Sequence, residues 1–187
     1  MKNLNKKGFT LVELLAVIVI LALIMAIAIY SISGILQSSR ENVFKDTAIN
    51  VLNGVKNQLL ATNQLQEGKY YFTPALLDNN NDLPFGGKIH YETSFQTGTS
   101  GSETPIGTAV GTGENVSYPV YRTTDNLTCS QSSVSFVTVT YTGSQFEYSI
   151  CLTPTPITSG TQRYIDNGKE ADLLGSTVTT IKAVSVS

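Results

Sequence analysis

The chain has 187 residues, 41% of them apolar, with 12 lysine and arginine residues against 14 acidic ones. That content supports one globular domain of ordinary size plus an attached segment and excludes a wholly disordered chain. The near-neutral balance gives no footing for general nucleic-acid binding, and the charge is unevenly placed: Lys2, Lys6 and Lys7 all precede Gly8, and taking those three from the 12 leaves 9 basic against 14 acidic residues, so the remainder is acidic.

Every residue from Leu14 to Ile29 is apolar, and only Tyr30, Ser31, Ser33 and Gly34 interrupt the run before Leu36. A bilayer core is spanned by roughly 20 apolar residues in a helix, so this stretch is long enough to cross. Three lysines before it and no basic residue after it until Arg40 predict an N-terminus in the cytoplasm and the bulk of the chain outside. The helical pattern continues beyond the apolar run. Leu36, Phe44, Ala48, Leu52, Val55 and Leu59 define one apolar face, while Arg40, Glu41, Lys45, Asp46, Asn53 and Lys56 fall on the wet positions. No proline occurs before Pro74, so one helix over residues 9–63 is expected, with Gly34 its weakest point at about 1 kcal/mol relative to alanine.

After Gln64 the composition turns to tyrosine, threonine, serine, glycine and asparagine in β-branched runs broken by turns, which predicts an antiparallel sheet. Residues 132–142 and 145–152, separated by Gly143-Ser144, read as a hairpin, and residues 176–186 as a last strand. Asparagine- and glycine-rich residues 78–87 and glycine-, threonine- and serine-rich residues 96–115 read as loops. There is no internal repeat.

The specific signal lies at the start of the apolar run, in Lys6-Lys7-Gly8-Phe9-Thr10-Leu11-Val12-Glu13. An ordinary secretory signal is cut after its apolar stretch; here a glycine precedes the stretch and a carboxylate sits just inside it. A carboxylate in a membrane segment costs several kcal/mol unless paired, so Glu13 asks for a partner. Gly8-Phe9-Thr10-Leu11-Val12-Glu13-Leu14-Leu15 and the run that follows resemble the type IV filament family of type IV pilins, type II secretion pseudopilins and competence pilins. The resemblance implies that a prepilin peptidase cuts between Gly8 and Phe9, that Phe9 becomes an N-methylated N-terminus, and that Glu13 pairs with the N-terminal amine of a neighbouring subunit. Cutting there would remove the three lysines and create an amine close to Glu13. Two charges buried in an apolar filament core are tolerable as a pair. The resemblance covers about 50 residues of motif and helix. Many family members carry a proline within the apolar run, and this chain has none there. A conventional signal cut after Ser31-Ile32-Ser33, and a permanent single-pass anchor, are the competing readings.

Cys129 and Cys151 are compatible either with one disulfide, the favoured state, or with two free buried thiols. If the hairpin turns at Gly143-Ser144, Cys151 lies opposite roughly Phe136. A Cys129 on a third strand would then sit two strand spacings away, about 9.5 Å, too far to bridge. A bond therefore requires the Cys129 segment to fold over a sheet face or reach the other edge. Asp78, Asn80 and Asp82 alternate like the start of a calcium loop, but Leu83 and Ile89 stand where glycine and glutamate are needed. Asp166, Asn167, Glu170 and Asp172 read as a second acidic loop, with Asp166, Glu170 and Asp172 as weak metal candidates; major pseudopilins, as a family, bind calcium in this part of the chain. His90 is the single histidine, so neither a metal site nor a nucleophilic triad can be assembled around it.

The expectation is thus an α+β chain: a leader over 1–8, a transmembrane or filament-core helix half over 9–36, an amphipathic half over 37–63, and a β-rich head over 64–187. No enzyme activity and no cofactor are expected. The expected role is that of a pilus subunit for adhesion, surface motility or DNA uptake, with a pseudopilin or a tip-located binding pilin as alternatives. Its partners would be further copies of itself, the prepilin peptidase, the assembly platform and minor pilins, and the membrane before assembly. The precursor would lie in the cytoplasmic membrane and the filament outside the cell. The leader resembles those of bacteria with a single membrane, which favours pili.

Overall fold

The computed structural model describes residues 10–77, 81–93, 103–111, 117–175 and 181–186. The chain divides into two compact units, Met1–Ser39 and Arg40–Ser187. The first helix, α1 (Leu11–Ala61), contributes to both.

In the first unit the helix is apolar all round, and its large side chains are exposed, from 48% at Val17 to 80% at Leu11. Gly34 lies inside the helix, and a Cβ built there meets nothing within 4 Å, so packing places no demand on this glycine. Ser31 and Ser33 donate their hydroxyls to the carbonyls of Ile27 and Ile29, four residues back. This satisfies both side chains without water, as a lipid surrounding requires.

In the second unit the helix has two faces. Phe44, Ala48, Val51, Leu52, Val55 and Leu59, at steps of one, three or four, are each at most 1% exposed. They pack into one cluster with Tyr70, Phe72, Val137, Val139, Ile150, Leu152 and Ile165 of the sheet. Lys45, which the pattern places on the wet face, is instead buried; its Nζ donates to the carbonyl of Gly175 at 3.1 Å. A cation suits that place, because Gly175 ends a short helix whose last carbonyls lack intrahelical donors. The helix stops at a recognisable device. Asn63 takes a left-handed φ of 58°, the Gln64 amide returns to the Leu59 carbonyl at 2.9 Å, and the Asn63 amide returns to Leu60 at 3.2 Å. These two bonds form a Schellman motif.

Among the described residues seven antiparallel strands follow: β1 (Gly68–Phe72), β2 (Glu103–Ile106), β3 (Val120–Thr123), β4 (Phe136–Tyr141), β5 (Phe146–Leu152), β6 (Gly160–Lys169) and β7 (Ile181–Val186). Their order is β2-β3-β1-β4-β5-β6-β7, so β1 enters the middle of the sheet and pairs with β3 on one side and β4 on the other. Alternation sorts the faces. Tyr70 and Phe72 of β1 join the helix-side core. Tyr71 turns the other way, into a second cluster with Tyr121, Phe136 and Cys151. The fold is the expected α+β architecture, a long N-terminal helix and an antiparallel sheet.

Several details differ from the sequence expectation. The hairpin pairs Tyr141 with Phe146, so its loop is four residues rather than two. Thr142 closes it through backbone and hydroxyl bonds to the Gln145 carbonyl, and Gly143 supplies a φ of 88°. Strand β2 forms within the stretch expected to be a loop, where its Ile106 is buried. The acidic stretch near the C-terminus is not a loop: Asp166 and Asn167 belong to β6, and Glu170 and Asp172 to the short helix α2 (Glu170–Leu174). Of the expected last strand, residues 176–180 lie outside the described residues, as do Asp78 and Asn80 of the failed calcium loop.

Candidate functional site

The sequence signal converges on the start of α1. Gly8 and Phe9 lie outside the described residues; Thr10 and Glu13 are described. Thr10 precedes the first helical residue and acts as its N-cap. Its hydroxyl accepts the Glu13 amide at 3.3 Å, and Glu13 reaches back to accept the Thr10 amide at 2.9 Å and the Thr10 hydroxyl at 2.8 Å. This is a capping box, in which residues three apart satisfy one another's orphan groups at the helix start. The T-x-x-E spacing of Thr10-Leu11-Val12-Glu13 carries this information in the sequence, although the membrane argument alone treats Glu13 as unpartnered. Within a single chain its carboxylate already accepts two hydrogen bonds.

Beyond the cap, the most apolar 18-residue window of α1 has a mean hydropathy of 3.1 and is exposed throughout. A helix that is apolar on every side has no face for water and requires either lipid or other helices around it. The site therefore combines a hydrogen-bonded carboxylate at the helix start with an extended apolar surface behind it. That combination suits insertion and helix–helix packing.

Cys129 and Cys151 form a disulfide, with Cα atoms 5.6 Å apart. Cys151 pairs with Phe136 across the hairpin. The segment holding Cys129 folds over the sheet face opposite the helix, where Leu127, Cys129 and Val134 pack on Tyr71, Tyr121 and Phe136. This is one of the two routes left open by the strand spacing.

The three acidic candidates do not converge. Asp166 is paired with Lys182, whose pKa is raised by that carboxylate through a hydrogen bond and charge attraction. Glu170 lies 3.8 Å from Lys56, and Asp172 faces solvent on α2. Among the described residues no group of three or more His, Cys, Asp or Glu side chains is placed to hold a metal ion. His90 has a structural role: its Nδ1 lies 3.0 Å from the Ser133 carbonyl, and donating to that oxygen places the ring proton on Nδ1.

A capped, lipid-compatible N-terminal helix and an antiparallel sheet are consistent with a pilin-type fold. The family model described as the prokaryotic N-terminal methylation motif matches residues 3–29, and that motif is characteristic of type IV pilin-like prepilin leaders. The chain therefore carries the leader and helix start of a type IV pilin-like or pseudopilin-like precursor, a class of structural subunits rather than enzymes. The match ends inside α1 and does not extend to the sheet. No curated protein and no solved structure matches the chain.

Proposed function

We propose that the protein is a structural subunit of a type IV pilus. Its precursor sits in the cytoplasmic membrane with the leader inside, is cut by a prepilin peptidase between Gly8 and Phe9, is N-methylated at Phe9, and is then polymerised into an extracellular filament. The observation that carries this reading is the methylation motif at residues 3–29 running directly into a helix whose first stretch is apolar all round and exposed, with Glu13 in its first turn. In the membrane, lipid covers the apolar half. In the filament, copies of the same helix replace the lipid, and Glu13 exchanges its bonds to Thr10 for the N-terminal amine of a neighbour. A buried carboxylate and amine are compatible as a pair and costly apart, so the contact sets subunit register.

The leader, which resembles those of bacteria with a single membrane, favours a surface pilus serving adhesion, motility or DNA uptake over a secretion pseudopilus. The second reading, a pseudopilin, shares every step up to the filament's length and place. Two measurements test the proposal. Mass spectrometry of the mature chain is expected to find methylated Phe9 as its first residue. Electron microscopy is expected to find filaments with the wild-type chain and none with Glu13→Ala or Gly8→Leu. Normal filaments from either variant, or a mature chain beginning elsewhere, would overturn it.

A further inference from the structure

The segment over residues 124–135 is held to the sheet by more than its disulfide. On one side of Cys129, Lys69 of β1 donates Nζ to the Leu127 carbonyl at 2.6 Å and to Asn126 Oδ1 at 3.3 Å. On the other side, Gln162 of β6, almost fully buried, donates Nε2 to the Gln131 carbonyl at 2.8 Å. Two further groups meet the Ser133 carbonyl: Thr153 Oγ1 at 2.6 Å and His90 Nδ1 at 3.0 Å. The Ser135 amide then donates to the His90 carbonyl at 2.7 Å. Leu127 and Val134 pack on the aromatic face beside these bonds. Cys129 is thus bracketed by captures two residues before it and two and four residues after it, all made by groups other than sulfur.

We infer that this segment seats on the sheet before the disulfide exists, and that an external disulfide-bearing oxidant enters at Cys129, with Cys151 as the resolving thiol. The two sulfurs differ in access. Cys151 is fully buried in the second core cluster, whereas Cys129 is only half-buried on the covering segment. Thiol–disulfide exchange requires a thiolate that can reach the attacked sulfur, so the accessible cysteine reacts with the outside reagent. In the first step the Cys129 thiolate attacks one sulfur of the oxidant; a mixed disulfide forms and the oxidant's other sulfur leaves as a thiolate. In the second, the Cys151 thiolate attacks Cys129 Sγ and displaces the remaining half of the oxidant. Two protein thiols are oxidised and one disulfide of the oxidant is reduced to two thiols. The captures hold Cys129 over Cys151, so the second step is intramolecular and outruns release of the mixed species. The partner class is a thiol–disulfide oxidoreductase, or a small disulfide acting in its place.

This inference does not depend on the filament reading and is tested separately, on the full chain in detergent micelles. After reduction and removal of the reductant, brief labelling with N-ethylmaleimide and peptide mapping are expected to modify Cys129 faster than Cys151 by about tenfold or more. The amides of Ser135 and Thr153 are expected to keep their protection from hydrogen exchange. With oxidised glutathione, Cys151→Ser is expected to accumulate a glutathione adduct at Cys129, and Cys129→Ser to form its adduct about tenfold more slowly or worse. Equal labelling of both cysteines in the reduced wild type, or loss of protection at Ser135 and Thr153 on reduction, would overturn the inference. If a serine variant fails to fold, the reduced wild-type chain carries the same test.

Discussion

The two stretches of α1 are both helical and both rich in aliphatic residues, yet they solve opposite problems. Residues 11–39 carry apolar side chains on every side and bury none of the large ones described. Residues 40–61 gather most of theirs into one stripe and bury it against side chains of the sheet, leaving Val43 and Leu60 exposed. Secondary structure is the same in each; the difference is what each surface is made to touch. Helical period with a polar remainder specifies a protein partner in the same chain, whereas helical hydrogen bonding without a polar remainder specifies a non-aqueous surrounding.

That contrast can be broken most sharply by paired truncations. Leu52→Ala is expected to lower the stability of the second unit by about 2–5 kcal/mol, because it empties a fully buried site. Leu23→Ala, at an exposed position of the first unit, is expected to leave it within about 0.5 kcal/mol. Urea melts of the full chain in detergent, followed by the sheet's circular dichroism, distinguish the two. Similar losses would mean that the stretches are not energetically separate.

A smaller effect is expected on the sheet side. Gly168 follows the left-handed Asn167, and a Cβ at Gly168 would lie 2.6 Å from Ile165 Cγ2 and 3.2 Å from Leu173 Cδ2. Gly168→Ala is expected to cost about 1–3 kcal/mol in the same melts through overpacking. At the other end of the chain, Thr10→Ala removes the N-cap and is expected to weaken the helix start by about 1 kcal/mol, seen as faster hydrogen exchange over Leu11–Leu14 with an unchanged sheet melt. An equally shifted sheet melt would contradict the separation.

The last effect is confined to alkaline solution. Burial raises the phenols of Tyr70, Tyr71, Tyr91 and Tyr148 above their ordinary value of 10, Tyr71 to about 12 with the carboxylates of Asp125, Glu92 and Glu103 adding to the rise. A pKa raised by folding means that the folded state prefers the neutral phenol. Its contribution is complete below pH 10 and is lost as pH rises through the folded values. Absorbance at 295 nm should therefore show these four tyrosines titrating late or together with unfolding. All nine tyrosines titrating near pH 10 with the sheet intact would refute the burial assigned to them.

The helix was legible because Phe44, Ala48, Leu52, Val55 and Leu59 repeat at the period that one-sided burial demands, whereas Leu36, read onto the same face, is exposed because it lies in the first unit, ahead of the stretch packed on the sheet. The hairpin was legible from its β-branched runs, and the position of Phe136 opposite Cys151 followed from the turn. Strand β6 was not, for a physical reason. Its inward positions include Gln162, buried for the sake of its hydrogen bonds, and Gly168, required by close packing. A register shift against β5 then breaks the alternation that would mark a strand. Lys45 misled for a similar reason, since its burial answers a helix end more than 100 residues away in sequence. At the candidate site, the motif pointed to Glu13, while the role of Thr10 emerged only with the geometry of the cap.

That cap has a bearing on the life of the chain. Thr10 and Glu13 both lie after the Gly8–Phe9 bond, so if that bond is cut as proposed, the device that starts the helix stays whole on the helix side. Whatever happens upstream, the first turn keeps its own closure. Under the proposed processing, a precursor and its shortened product would share one helix start without refolding, because, among the described residues, the carboxylate that closes the turn draws its hydrogen bonds from Thr10 alone.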